Sequence, residues 1–208
     1  MNSSTIIKLI SSLIIIVLIV LFFVSYNGLV EKEEKVLSSW SQVESQLQRK
    51  FDLMDNLVKT VKNFAKHEKE ILTTVTKQRS QNNFQKIQSS LSKNKQLLSQ
   101  VNLSDQNSLK SLSSKQNLLN QNLGRLIAVA ENYPNIKSSD NFLALQAQIE
   151  GTENRINITR IMFNKSVKEF NSYKRKIPNN IISSFGGFKR KAYFEANTQA
   201  KEKWEIEF

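Results

Sequence analysis

The stretch Val36-Leu-Ser-Ser-Trp40-Ser-Gln-Val43-Glu-Ser-Gln-Leu47-Gln-Arg-Lys-Phe51 decides the architecture. Val36, Trp40, Val43, Leu47 and Phe51 stand three or four residues apart, which puts them on one face of an α-helix; a strand would bury every second residue. The same steps resume with Leu57, Val61 and Phe64, then Ile71 or Leu72, and Val75. Between them, Phe51-Asp-Leu-Met-Asp-Asn56 supplies two Asp and an Asn as caps, so a kink or short break is expected there, with a restart near Leu57. A weaker period runs through Phe84, Ile87, Leu91 and Leu98. Val101-Asn-Leu-Ser-Asp105 reads as a turn, with Ser104 the candidate N-cap of a helix carrying Leu109, Leu112, Leu119, Leu123, Leu126, Ile127 and Ala130. Tyr133-Pro-Asn135 stops that helix, because Pro134 pushes Tyr133 out of the helical region. A last helix from about Ser139 carries Phe142, Leu145, Ile149, Ile156, Phe163, Val167, Phe170 and Ile177, and Pro178 and Gly186-Gly187 end regular structure.

One internal echo lies in this pattern. Ser90-Leu-Ser-Lys-Asn-Lys-Gln-Leu-Leu-Ser-Gln100 and Ser111-Leu-Ser-Ser-Lys-Gln-Asn-Leu-Leu-Asn-Gln121 share six of eleven residues. Two copies do not make a solenoid, which needs at least three. They read as the two sides of a polar helical hairpin with its tip at residues 101–105.

On the N-terminal side the character changes. Thr5 to Val24 carries one charge, Lys8, and Leu13 to Val24 is uninterruptedly apolar. As a helix these residues span roughly 30 Å, the thickness of a bilayer's hydrocarbon core. A cleaved signal peptide would have a shorter apolar run and a small-x-small site; here Phe22-Phe-Val-Ser-Tyr26 follows, and Tyr26 suits an interfacial anchor. An uncleaved anchor is expected. Lys8 precedes it while Lys32, Lys35, Arg49 and Lys50 follow, so the positive-inside rule leans towards a cytoplasmic domain.

The remaining composition excludes several classes. With 5 Gly and 2 Pro in 208 residues, the chain lacks the turns of a β-sandwich or barrel. Zero Cys removes disulfides, thiolate metal sites and Cys nucleophiles, and one His removes any site needing two imidazoles. The expected fold is all-α: an N-terminal transmembrane helix in residues 1–26, then an antiparallel four-helix bundle over 27–178. An irregular basic tail is expected over 179–208.

Several strings go beyond what periodicity requires. Tyr26-Asn-Gly-Leu-Val30, Gln48-Arg-Lys-Phe-Asp-Leu53, Gly124-Arg-Leu-Ile-Ala-Val-Ala-Glu-Asn-Tyr-Pro134 and Glu150-Gly-Thr-Glu-Asn-Arg-Ile156 resemble the LemA family. Phe163-Asn164, Phe170-Asn171, Ile177-Pro178 and Tyr193-Phe-Glu-Ala196 fit as well, in order from about residue 26 to the end. The resemblance implies a bacterial membrane protein with one N-terminal span and a helical-bundle domain, of largely undefined biochemical activity. Met54-Asp55 stands where that family usually has Pro, and Lys189-Arg-Lys191 is more basic than its pattern.

Chemistry-bearing constellations are few. His67-Glu68 is the single adjoining imidazole and carboxylate, but adjacent helical positions point about 100° apart and cannot hold a metal from one face. There is no Gly-x-Ser-x-Gly elbow and no phosphate-binding Gly-rich loop. No catalysis, metal or cofactor is expected. The last helix's apolar stripe has a gap between Ile149 and Ile156, filled by Thr152, Glu153, Asn154 and Arg155. A core-facing carboxylate there needs cationic partners, and Arg49, Arg79 and Arg125 stand on the other helices. Such a constellation serves either as a polar layer fixing helix register or as a ligand or partner site. Lys174-Arg175-Lys176 and Lys189-Arg190-Lys191 are either a solvated basic surface or a contact for anionic lipid head groups. No recognition motif or base-stacking array accompanies them, which argues against nucleic acid. The functional expectation is a single-pass inner-membrane protein whose bundle is a scaffold or adaptor for other membrane or envelope proteins. The alternative is a membrane-linked sensor of a small ligand or anionic lipid.

Overall fold

The computed structural model describes residues 3–67, 74–130, 136 and 139–195. Its helices are α1 (Ser3–His67), α2 (Thr74–Ser99), α3 (Gln106–Ala130), α4 (Asp140–Arg175) and α5 (Asn179–Phe185). Regular structure among the described residues is entirely helical.

α1 is a single helix of 65 residues, and the break expected at 51–56 is absent. The reason is which way the polar residues face. Asp52 and Asn56 are exposed and Asp55 half-buried, whereas Phe51, Leu53, Met54, Leu57 and Val58 are buried and carry the stripe straight through. Asp52 accepts from Lys95 Nζ at 2.9 Å and Asp55 pairs with Lys59 one turn on at 2.7 Å, so neither carboxylate is left to cap a new helix.

The described side chains from Ile6 to Val24 are all exposed, and none of the most apolar window is covered by the rest of the chain. This part of α1 is long and apolar enough to cross a membrane. The packed core begins at Ser25 and Leu29.

From there α4 runs antiparallel to α1. Lys32 Nζ lies 5.4 Å over the Tyr173 ring, Lys35 bonds Glu169 at 2.7 Å, and Ser39 and Ser166 share a 2.8 Å hydrogen bond. Trp40 meets Phe163 edge-on at 5.3 Å, and Lys50 meets Glu153. Partners on α4 fall in number as those on α1 rise. Gly28 makes room for Tyr173: a Cβ there would overlap the Tyr173 hydroxyl and lie 2.8 Å from its ring.

The second pair is the hairpin of α2 and α3, which packs against α1. Asn94 donates to the Lys115 carbonyl and Asn122 to Ser90, and of the six echoed leucines Leu91, Leu98, Leu112 and Leu119 are buried, Leu97 is half-buried and Leu118 is exposed. At the tip, Asn102 Oδ1 accepts from the Ser104 amide. Asp105, not Ser104, caps α3, its carboxylate accepting from the amides of Asn107 and Ser108 at 3.0 and 3.2 Å. An aspartate satisfies two otherwise unpaired amides and complements the helix dipole, which a serine does less well. The Tyr133-Pro-Asn135 stop lies outside the described residues.

The expected irregular tail starts as a helix and then becomes a strap. Beyond α5, residues 188–195 are neither helix nor strand, yet Phe188, Ala192 and Phe194 are buried. Two asparagines of α4, seven residues apart, hold it. Asn171 donates to the Lys191 carbonyl at 2.8 Å and accepts its amide at 3.0 Å; Asn164 does the same for Phe194 at 2.9 and 2.8 Å. The Ala192 amide donates to the Leu103 carbonyl at 2.7 Å and Gln106 donates to Tyr193 O, joining the strap to the hairpin tip. The Phe163-Asn164 and Phe170-Asn171 strings thus divide labour: Phe into the core, Asn onto the strap.

Candidate functional site

Two features stand out from this framework: a polar layer inside the helices and a basic, partly apolar face where α1 leaves its apolar segment.

The polar layer is centred on Lys50. It sits three residues after Leu47 and one before Phe51, in phase with the core stripe, and its side chain is only 1% exposed. Nζ donates to Asn120 Oδ1 on α3 at 2.7 Å and to the Glu153 carboxylate on α4. Loss of solvent holds the ammonium below the ordinary lysine value of 10.5; the Glu153 carboxylate pulls it back up and the Arg160 guanidinium pushes it down. Two turns further along α4, Arg160 donates to Gln116 Oε1 on α3 and stacks over the Phe194 ring at 4.4 Å. Burial lowers its guanidinium from the ordinary value, against the pull of Glu153. Gln46 Oε1, Gln116 Nε2 and Arg160 Nε are buried without a protein partner among the described residues. Arrays of this kind bridge α1, α3, α4 and the strap, and their directional bonds hold helices in one register.

The sequence-derived residues distribute around that centre. Thr152 is buried, its hydroxyl donating to the Gln148 carbonyl one turn back at 2.7 Å. Glu153 reaches inwards with its side chain one-third exposed, while Asn154 and Arg155 face out. Arg49 and Arg125 are exposed and are not the counter-ions of Glu153; Lys50, beside Arg49, takes that place. Arg49 instead lines an open groove on the outer face of α1 with Glu44, Gln48 and Asp52. The side chains of Arg79, His67 and Glu68 lie outside the described residues. Sequence reasoning missed Lys50, Asn120, Gln116 and Arg160. A signal existed for Lys50, which occupies a core phase of the α1 stripe. None existed for Arg160, whose burial depends on Phe194 arriving from the strap.

In the second feature, Lys174, Arg175 and Lys176 close α4 and Lys189 and Arg190 are exposed on the strap. Lys191 is not free: it pairs with Glu33 at 2.5 Å, lies 5.8 Å over the Phe170 ring and is 11% exposed. Among the described residues, no group of three or more His, Asp or Glu side chains is placed to hold a metal ion.

The arrangement is that of a membrane-associated helical protein with one apolar N-terminal helix. Comparison with known proteins narrows the class. The LemA family model matches residues 39–208, and the chain belongs to the LemA family. It is 30% identical over 194 residues to magnetosome protein MamQ 2 of Paramagnetospirillum magneticum, an alignment covering 89% of this chain and 70% of that one. Magnetosome protein MamQ of Magnetospirillum gryphiswaldense is likewise 30% identical, over 193 residues and with the same coverage.

Proposed function

We propose that this chain is a non-catalytic, single-pass scaffold whose four long helices form an antiparallel bundle that holds other membrane or envelope proteins. The observation carrying this reading is an apolar row on the outer face of α4: Ile158, Ile161 and Met162 are 57%, 70% and 53% exposed. Their spacing of three and four gives one helical stripe facing away from α1, with the geometry to receive an apolar partner helix. Clustered exposed apolar groups of this sort mark interaction surfaces more often than chance. The polar layer supports the same role, since it fixes the helices that present the row. That the relatives are magnetosome proteins, named for a cell structure and not for a reaction, supports the same role.

We place the span in the cytoplasmic membrane and the bundle on its cytoplasmic side, on the Lys and Arg that follow the apolar segment. Protease added to spheroplasts should leave the bundle intact; digestion from outside would reverse the orientation. To test the scaffold, full-length protein is purified from detergent-solubilised membranes beside an Ile158→Ser/Ile161→Ser variant. The parent should bring down a stoichiometric partner that the variant loses while remaining folded. A parent that purifies alone, or a variant that keeps the same partner, would overturn the reading. The alternative, a membrane-linked sensor of a small ligand or anionic lipid head groups, draws on the basic residues at the end of α4 and on the strap.

A further inference from the structure

We infer that the α4–α5 corner is an interfacial foot: Ile177, Ile181 and Phe185 insert at the acyl–headgroup boundary of an anionic bilayer while Lys174, Arg175, Lys176, Lys189 and Arg190 contact its phosphates. This stands independently of the scaffold reading, which concerns the far side of α4.

The first support is position. α4 is antiparallel to α1, so its last turn lies beside the start of the packed domain, where Tyr173 covers Gly28 and sits under Lys32. The strap returns to the same level, because the Phe188 ring meets Tyr26 edge-on at 5.5 Å. Tyr26 is two residues, about 3 Å, beyond the apolar run that ends at Val24. Where the run is in the hydrocarbon core, the corner is therefore at headgroup depth. Tyr26 itself stacks on Phe22 at 6.1 Å, continuing the aromatic belt inwards.

The second support is the surface chemistry. α5 buries Asn179, Ile182 and Ser183 towards the protein. Its opposite face carries Ile181 and, one turn on, Phe185, and Ile177 stands two residues before the helix; they are 56%, 85% and 83% exposed. Such a face is costly in water, and five cations flank it in the chain, Lys174, Arg175 and Lys176 just before Ile177 and Lys189 and Arg190 just after Phe185. A row of apolar groups flanked by Lys and Arg is how protein surfaces lie in an anionic interface: apolar burial provides depth, and each basic residue adds attraction to the phosphates. A protein partner would have to fit between this corner and the bilayer that α1 already enters.

The absence of Cys allows a single labelling site. Ser184→Cys places a nitroxide beside Phe185 on an exposed position and leaves all three apolar residues intact. The full chain is reconstituted in vesicles of phosphatidylcholine with one-third phosphatidylglycerol, and collision rates with oxygen and with a water-soluble nickel chelate are measured. Ser114→Cys on exposed α3 is the aqueous reference; Lys95, across the hairpin, pairs with Asp52, some 26 residues or about 40 Å along α1 from Tyr26. Expected is an oxygen-to-nickel ratio several-fold higher at 184 than at 114. That ratio should fall to the reference in an Ile181→Ser/Phe185→Ser background, and move towards it in pure phosphatidylcholine. A ratio at 184 equal to that at 114 would overturn the proposal. So would shielding from both reagents, which would mean a second copy or another protein covers the corner. Equal depth in both lipid compositions would remove the role given to the basic residues.

Discussion

Removing either partner of the Lys50–Glu153 pair should have unequal consequences. The Lys50 side chain is 1% exposed and Glu153 33% exposed, so the pair is buried at one end and wet at the other. In Glu153→Ala the ammonium keeps Asn120 as acceptor but loses its counter-charge where water cannot replace it. Breaking a buried pair in this way costs about 3–5 kcal/mol. Two effects bring the expectation down. Water already screens the carboxylate in part, and Lys50 can release its proton. From the ordinary value of 10.5, neutralising a lysine at pH 7 costs about 4.8 kcal/mol at about 1.36 kcal/mol per pH unit, which caps the penalty. A loss of about 2–4 kcal/mol follows. In Lys50→Met the stem volume is retained and Glu153 turns to solvent, so the loss should stay within about 1 kcal/mol.

The sign of the pH effect is also fixed. Burial depresses the folded-state pKa of Lys50, so between that value and 10.5 the unfolded chain binds the extra proton, and stability rises with pH. Without Glu153 to pull the pKa back up, the rise should be steeper and begin lower. Urea unfolding of the full-length protein in detergent micelles, followed by circular dichroism at several pH values, measures all of this. Equal losses for the two single variants, or a Glu153→Ala loss below about 0.5 kcal/mol, would refute the argument that the buried end decides the cost.

Other perturbations follow from the packing. Asn171→Ala removes two hydrogen bonds to the strap and should cost about 1–3 kcal/mol, with hydrogen exchange accelerated at the amides of Lys191 to Phe194 before the helices respond. Gly28→Val drives a side chain into Tyr173 and should cost about 1–3 kcal/mol by thermal melting; a Tyr173→Ala background should relieve most of it. Phe163→Ala empties a fully buried site against Trp40 and should cost about 3–5 kcal/mol in the same urea assay. Asp105→Ala uncaps α3, with an expected loss of about 1 kcal/mol that Asp105→Ser largely restores.

Helix positions and their buried faces were legible in the sequence because period and burial are the same fact seen twice. Val36, Trp40, Val43, Leu47 and Phe51 are all buried, as their spacing demands. The gap at Thr152 and Glu153 was legible as an interruption, but the identity of the counter-ion was not. A lysine in core phase looks like a solvated one until two other helices are seen to close over it. Cap residues misled at 51–56, since Asp and Asn begin a helix only if their side chains turn back to the backbone, and here the two Asp turn to Lys95 and Lys59 while Asn56 is exposed. The strap had no period to betray it. Its stability rests on backbone groups of Lys191 and Phe194 meeting asparagine amides 20 and 30 residues away, and its three buried apolar residues, Phe188, Ala192 and Phe194, are too few and too unevenly spaced to stand out as a period.

The uninterrupted α1 has a mechanical consequence. Residues 25–67 of one continuous helix extend roughly 64 Å at 1.5 Å per residue, and no break separates them from the apolar segment. A domain on a flexible stalk samples a volume; this one, backed by α4 from the level of Gly28 to that of Leu57, is confined to a shell of nearly constant height. Any tilt of the apolar segment is levered into a displacement at the far end rather than absorbed at the surface. The molecule is thereby a ruler as much as an anchor, and a few inserted residues near position 30 would change both the height at which its distal helices meet their surroundings and, at about 100° per residue, the direction they face.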